Sequence, residues 1–182
     1  AQESRGLGDV YKRQVVGSPL FLDTFTALGA NPTQMSWADA QPAFASGAVD
    51  GQENPIAVYQ AAKLHTVAQK HITMWGYVND PLVFVVNKDI WASWTPADRE
   101  IVKQAAIDAG KEEIAIARKG MVEADKPLLK EIAANGVTVT QLSAAERDAF
   151  VKATRPVYEK WKGQIGADLV GSAEKAIAAR KK

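Results

Sequence analysis

Thr95-Pro96-Ala97-Asp98 is the most constraining stretch of this 182-residue chain. The threonine can cap a helix, the proline fits its first position, and the acid sits where exposed backbone N–H groups favour negative charge. Apolar residues then recur at helical spacing: Ile101, Val102, Ala105, Ile107, Ala109, Ile114, Ala117, Met121, Val122 and Ala124. Only Gly110 and Gly120 interrupt them before Pro127. A helix over about 96–126 would hold ~30 residues and run ~45 Å, longer than one small lobe can cover. The pattern therefore predicts a helix too long for one small lobe.

The rest of the chain alternates strand and helix signals. Val15-Val16 reads as a strand end, Ser18-Pro19 as the start of a helix carrying Leu22, Phe25 and Leu28, and Gly29 as its stop. Ser36 is placed to cap a helix from Trp37 to about Ser46, ended by Gly47, with Ala48-Val49 as a very short strand. Asp50-Gly51 makes a turn, and Asn54-Pro55 opens a further helix with Ile56, Tyr59, Ala62 and Lys63 at helical spacing. Ile72 to Trp75 is strand-like, and the apolar run Leu82-Val-Phe-Val-Val86 has the composition of a strand buried on both faces. Asn135-Gly136 is a turn, Val137 to Thr140 a strand, and Ser143-Ala-Ala-Glu146 a capping box opening a helix through Trp161. The fold class expected is α/β.

Composition excludes several functions. Net charge is +1 with acids and bases interleaved, so no nucleic-acid partner is expected; only Arg180-Lys-Lys182 clusters positive charge, as a solvated tail. There is no cysteine, hence no disulfide, thiolate metal site or cysteine nucleophile. No apolar run reaches the ~20 residues of a membrane span, and the N-terminus carries no secretory signal pattern.

Met35-Ser-Trp37 through Asp50-Gly-Gln-Glu-Asn-Pro55, together with Gly29-Ala-Asn-Pro32 upstream, resembles the solute-binding proteins of TRAP transporters, the DctP-like family. The resemblance implies the C-terminal portion of a two-lobe periplasmic-binding-protein fold in which a long helix bridges the lobes. It also implies capture of a small organic acid in the periplasm for membrane permease subunits, without a cofactor or a catalysed reaction. Family-like sequence begins near Val15 and leaves most of the first lobe out. Residues 15–182 are thus expected to form a partial solute-binding protein, and residues 1–14 to be foreign to it.

A carboxylate-binding cleft needs charge-assisted donors, ideally a guanidinium fork, and a shaped wall. The family supplies an arginine on the strand before Gly-Ala-Asn-Pro, an aromatic after it, and the asparagine of Gln-Glu-Asn-Pro. Carried over, the aromatic is Trp37, the asparagine is Asn54, and the arginine position falls on Gln14, with Arg13 one residue earlier. Neighbouring strand residues face opposite ways, so Arg13 replaces the missing guanidinium only through a register slip. Tyr77 and Asn79, ahead of the apolar run, are candidates for the cleft mouth or for an ordinary loop. By spacing alone Trp37 also fits a helix core and Asn54 a helix cap.

No metal site is expected from His65 and His71, which lack a third ligand at helical spacing. Asp50 and Glu53 form a carboxylate pair with no histidine or nucleophile to complete a catalytic set. Binding is therefore expected rather than catalysis. The competing readings are an inactive remnant of a solute-binding protein, and a small α/β enzyme using Asp50 or Glu53 as base on a carboxylate.

Overall fold

A computed structural model describes residues 12–15, 17–78, 83–121 and 126–180. Strand β1 (Lys12–Val15) pairs in parallel with β2 (Asn31–Gln34), setting Arg13 opposite Pro32 and Gln14 opposite Thr33. Helix α1 (Pro19–Ala27) makes the crossover between them. On the other side of β1, Arg13 bridges Gly51, with Gln14 N donating to Gly51 O at 2.8 Å and Asp50 N to Lys12 O at 2.7 Å. Three parallel passes thus stand in the order β2, β1, 50–51. The described fold takes in Lys12, Arg13 and Gln14, three residues ahead of the expected boundary at Val15, because their backbone groups complete this ladder.

Helix α2 (Trp37–Ser46) returns from β2 as expected: Ser36 Oγ accepts from Asp39 N, and Gly47 ends the helix at φ 73°. Helix α3 (Ile56–Ala61) follows Pro55, and a short 3-10 turn spans Leu64–Thr66. Strand β3 (His71–Met74) pairs in parallel with β4 (Thr138–Gln141), which follows helix α6 (Pro127–Ala134). Ala40, Phe44, Val49, Tyr59, Leu64, Ile132 and Val137 close a single core under these elements. That core joins two distant stretches, roughly 40–64 and 132–137. Burying each large apolar side chain contributes about 1.5–3 kcal/mol.

Helix α7 (Ala144–Ile165) opens on the full capping box: Ser143 Oγ accepts from Glu146 N while Glu146 accepts from Ser143 N. Its far end is anchored to α1, where Lys160 Nζ lies 2.6 Å and Trp161 Nε1 2.7 Å from Asp23 Oδ2. Helix α8 (Ala167–Arg180) follows.

Two expectations need correction. The long helix, α5 (Pro96–Arg118), starts where the sequence predicts, capped by Thr95, but has 23 residues rather than ~30. It stops because Lys119 leaves helical geometry and Gly120 adopts φ 76°, a left-handed turn whose carbonyl accepts from Leu128 N at 3.1 Å. Gly110 stays inside the helix. The second correction concerns the run expected as a buried strand. Residues 83–87 have no regular structure, and Val83, Phe84 and Val85 are 75%, 71% and 78% exposed. No described strand lies alongside to pair with them. Between that run and α5, helix α4 (Lys88–Ser93) and Trp94 pack on the start of α5, where Arg99 Nε donates to Trp91 O at 2.8 Å.

Candidate functional site

The order β2, β1, 50–51 decides where a ligand can sit. The chain goes from β1 outward to β2 and then back across to the opposite side of β1. In open parallel sheets the crevice for a ligand forms outside the carboxyl ends of the strands, at the point where this order reverses. Here that point lies between the ends of β1 and of residues 50–51. Gly17-Ser18, Met35 to Trp37 and Gln52 to Pro55 leave the three passes on this edge, and each leads into a helix N-terminus.

Trp37 occupies the first position of α2 and is 38% exposed, its ring meeting Phe44 edge-on at 6.5 Å. Trp37 is therefore not a buried core residue: Phe44 is, and the indole packs against it with more than a third of the residue open to solvent. Asn54 does not cap α3, whose N-terminal residue Pro55 has no side-chain cap. Its Nδ2 donates to Gln52 Oε1 at 2.6 Å, leaving a second amide N–H and its carbonyl oxygen for another partner.

Gln14 and Arg13 point to opposite faces of β1, as strand alternation requires. Gln14 is 3% exposed; its Nε2 reaches Met35 O at a long 3.4 Å, and its buried Oε1 has no partner. Arg13 turns the other way, placing its guanidinium 5.5 Å from the Phe25 ring centroid. Burial lowers the Arg13 pKa, opposed by a nearby Tyr77. A Cβ at Gly51 would lie 3.5 Å from the guanidinium carbon, an ordinary van der Waals contact, so the arginine packs closely over this backbone. The register slip that would carry Arg13 to the Gln14 position does not occur.

Tyr77 belongs to the Arg13 face. Its ring stacks on Trp75 at 4.2 Å with 8° between planes, and Phe25 meets both rings edge-on. Its hydroxyl donates to Glu53 Oε2 at 2.6 Å, next to Asn54 in the chain. This bond was not foreseen, though Trp75 and Tyr77 at i and i+2 are the spacing at which an extended chain puts two rings on one side. Asn79 lies outside the described residues. The two acids considered as a base are engaged elsewhere: Asp50 Oδ2 accepts from Lys12 N at 2.7 Å, and Glu53 holds Tyr77. Among the described residues no cluster suited to a metal ion occurs.

A cavity of about 180 Å³ lies between the continuation of β3 and α7, lined by Trp75, Tyr77, Arg147, Phe150, Arg155 and Tyr158 but by neither Trp37 nor Asn54. Its walls include the rings of Trp75, Tyr77, Phe150 and Tyr158, and Arg147 Nε donates to Trp75 O at 3.2 Å. Of the sequence-derived candidates only Tyr77 touches it. We assign the candidate site to the strand edge, where topology, exposed indole and available amide coincide, and not to this cavity.

The profile of the bacterial extracellular solute-binding protein family 7, DctP, matches residues 12–164. A solute-binding protein of Verminephrobacter eiseniae is 31% identical over 90% of this chain and 48% of its own length. The ectoine-binding periplasmic protein TeaA of Halomonas elongata is 29% identical over 89% of this chain and 48% of its own. The chain thus spans about half the length of the curated relatives it matches. A TRAP periplasmic solute-binding protein of Ralstonia eutropha, solved with bound (S)-2-acetolactate, superposes with a TM-score of 0.91 at 70% identity, covering 93% of this chain and 54% of that one. The sugar acid binding protein of Advenella mimigardefordensis, in complex with galactonate, gives a TM-score of 0.77 at 28% identity, covering 91% and 52%.

Proposed function

The chain belongs to the bacterial extracellular solute-binding protein family 7, and from that premise we propose that it forms the second-lobe side of a cleft that captures a small organic acid. The completed protein hands that acid to the membrane permease of a TRAP transporter from the periplasm and performs no reaction on it. The observation that carries this reading is the strand-order reversal beside β1, where the exposed Trp37 and the amide of Asn54 share one edge with three helix N-termini. An amide and converging backbone N–H groups suit an anion, and an indole supplies a wall.

The ligand proposed is a short, branched 2-hydroxy or 2-oxo monocarboxylate, supported by the acetolactate held by the Ralstonia protein at 70% identity. Gln14 weakens the chain as it stands, because a neutral amide bond is about half as strong as a charge-assisted one. The enzyme reading finds no support, since Asp50 and Glu53 are both committed to structural hydrogen bonds.

The test is calorimetry on two proteins: the 182-residue chain, and the same chain completed with the part of the Ralstonia protein that it does not match. Acetolactate and related acids should bind the completed protein without product formation and bind the short chain poorly. Turnover, or no binding by a completed protein carrying arginine at position 14, would overturn the proposal. The second outcome would favour the inactive remnant.

A further inference from the structure

We propose that the cavity between the continuation of β3 and α7 is a second ligand site, which takes a small aromatic monocarboxylate. It is separate from the acid site at the strand edge, since neither Trp37 nor Asn54 lines it.

The cavity is built from two sides. On one, the rings of Trp75 and Tyr77 stack nearly parallel at 4.2 Å as the chain leaves β3. On the other, Arg147, Phe150, Val151, Thr154, Arg155 and Tyr158 recur at i, i+3, i+4, i+7, i+8 and i+11, which is one face of α7. Phe150 closes the gap between the sides by tilting against Trp75 at 5.0 Å.

Rings grouped in this way receive a flat apolar body, and a ring cluster alone also suits a cation. Charge decides between the two. Two guanidiniums and no carboxylate line the cavity. Arg155 is committed, because it pairs with Glu159 and lies over the Tyr158 ring at 4.5 Å, while the Tyr158 hydroxyl donates to Glu174. Arg147 is not. Its Nε donates to Trp75 O at 3.2 Å, which ties the guanidinium to the stacked pair, and its terminal nitrogens have no acid partner among the described residues. A planar fork held in this way suits a carboxylate. One uncompensated positive charge among the rings of Trp75, Tyr77, Phe150 and Tyr158 selects a single negative charge on a flat body. The volume of about 180 Å³ lies below the roughly 300–1,000 Å³ of sites for larger molecules, so the body is one ring.

The experiment titrates the 182-residue chain with benzoate, with neutral benzamide and with cyclohexanecarboxylate, read by two-dimensional amide spectra. Benzoate should bind one to one, move the signals of residues 75–77 and 147–158, and leave those of Trp37 and Asn54 in place. Benzamide keeps the ring without the charge and should bind at least tenfold more weakly. Cyclohexanecarboxylate keeps the charge without the flat ring and should bind about threefold more weakly. Arg147→Gln should reproduce the loss seen with benzamide, and Thr154→Leu, which sends a larger side chain into the cavity, should abolish binding. Both variants should melt with the parent, since Arg147 is exposed and leucine suits a helix. The completed protein, in an excess of acetolactate, should bind benzoate as the short chain does. The proposal is overturned by the absence of saturable binding, by benzamide binding as benzoate does, or by either variant folding and binding like the parent. Displacement by acetolactate also overturns it, as does loss of the site in the completed protein, which would make the cavity a surface that the rest of the fold covers. A completed protein that binds benzoate but not acetolactate leaves this site standing and counts against the proposed function instead.

Discussion

The Tyr77 hydroxyl donates to Glu53 Oε2 at 2.6 Å, fastening the turn that carries Asn54 to the stacked rings that continue from β3. The two elements are 24 residues apart in the chain, and the bond makes the Asn54 turn answer to the position of the segment that leaves β3. Tyr77→Phe keeps the stack and removes the bond. A hydrogen bond to a charged group contributes about 1.5–3 kcal/mol, so the variant should unfold at lower urea with an unchanged denaturant slope. An unchanged midpoint would show that the bond contributes nothing.

Asn54→Ala and Trp37→Ala should alter binding more than folding. Neither side chain caps a helix or fills the core, so melting of the completed protein should shift little. Loss of the amide should cost about 1.5–3 kcal/mol against a carboxylate, a tenfold or larger rise in Kd by calorimetry. If both variants bind as the parent does, the site lies elsewhere.

Tyr59 gives an alkaline signature. It is 2% exposed, its hydroxyl donates to Gln69 O, and burial raises its pKa above the ordinary 10.0. The folded state therefore holds the phenolic proton longer than the unfolded state. Its contribution is complete below pH 10.0 and is lost as pH rises through the raised value. Stability followed by urea titration should decline above that pH, and Tyr59→Phe should flatten the decline while losing about 1 kcal/mol at neutral pH.

Asp23 gives the acid counterpart. Hydrogen bonds from Lys160 and then Trp161 hold its pKa below the usual 3.8. Its contribution is present above that pH and is lost as pH falls through the lowered value. Asp23→Asn should flatten the acid limb of the stability curve and loosen α7 from α1, read as faster amide exchange near Trp161. Trp161→Phe should reproduce part of the effect without changing the charge.

Gly120→Ala should destabilise the chain. At φ 76° a side chain is strained by about 1–2 kcal/mol, and its Cβ would meet Leu128 Cβ at 2.7 Å and Leu128 N at 3.1 Å. Since one contact is backbone, the turn itself must shift. A melting temperature equal to the parent's would show that the turn accommodates it.

Local chemistry made much of this chain legible. The Ser36 and Thr95 caps, the Ser143–Glu146 box, the Gly47 stop and the start of α5 involve groups within a few residues of one another, so the sequence alone determines them. The motif from Gly29 to Pro55 was enough to name the family. Strand β2 was not anticipated, because Pro32 argues against a strand and only its place at the sheet edge, with β1 on one side, makes it tolerable. Asn54 looked like a cap, yet its amide donates to Gln52 two residues back, a local partner that competes with the helix end. By contrast the Tyr77–Glu53 bond, and which partners Arg13 and Gln14 meet on their two faces, depend on how separate passes of chain align. Val83 to Val85 marks the limit of pattern reading: apolar β-branched residues state that a segment is fit for burial, but a strand exists only where a neighbouring backbone supplies the ladder.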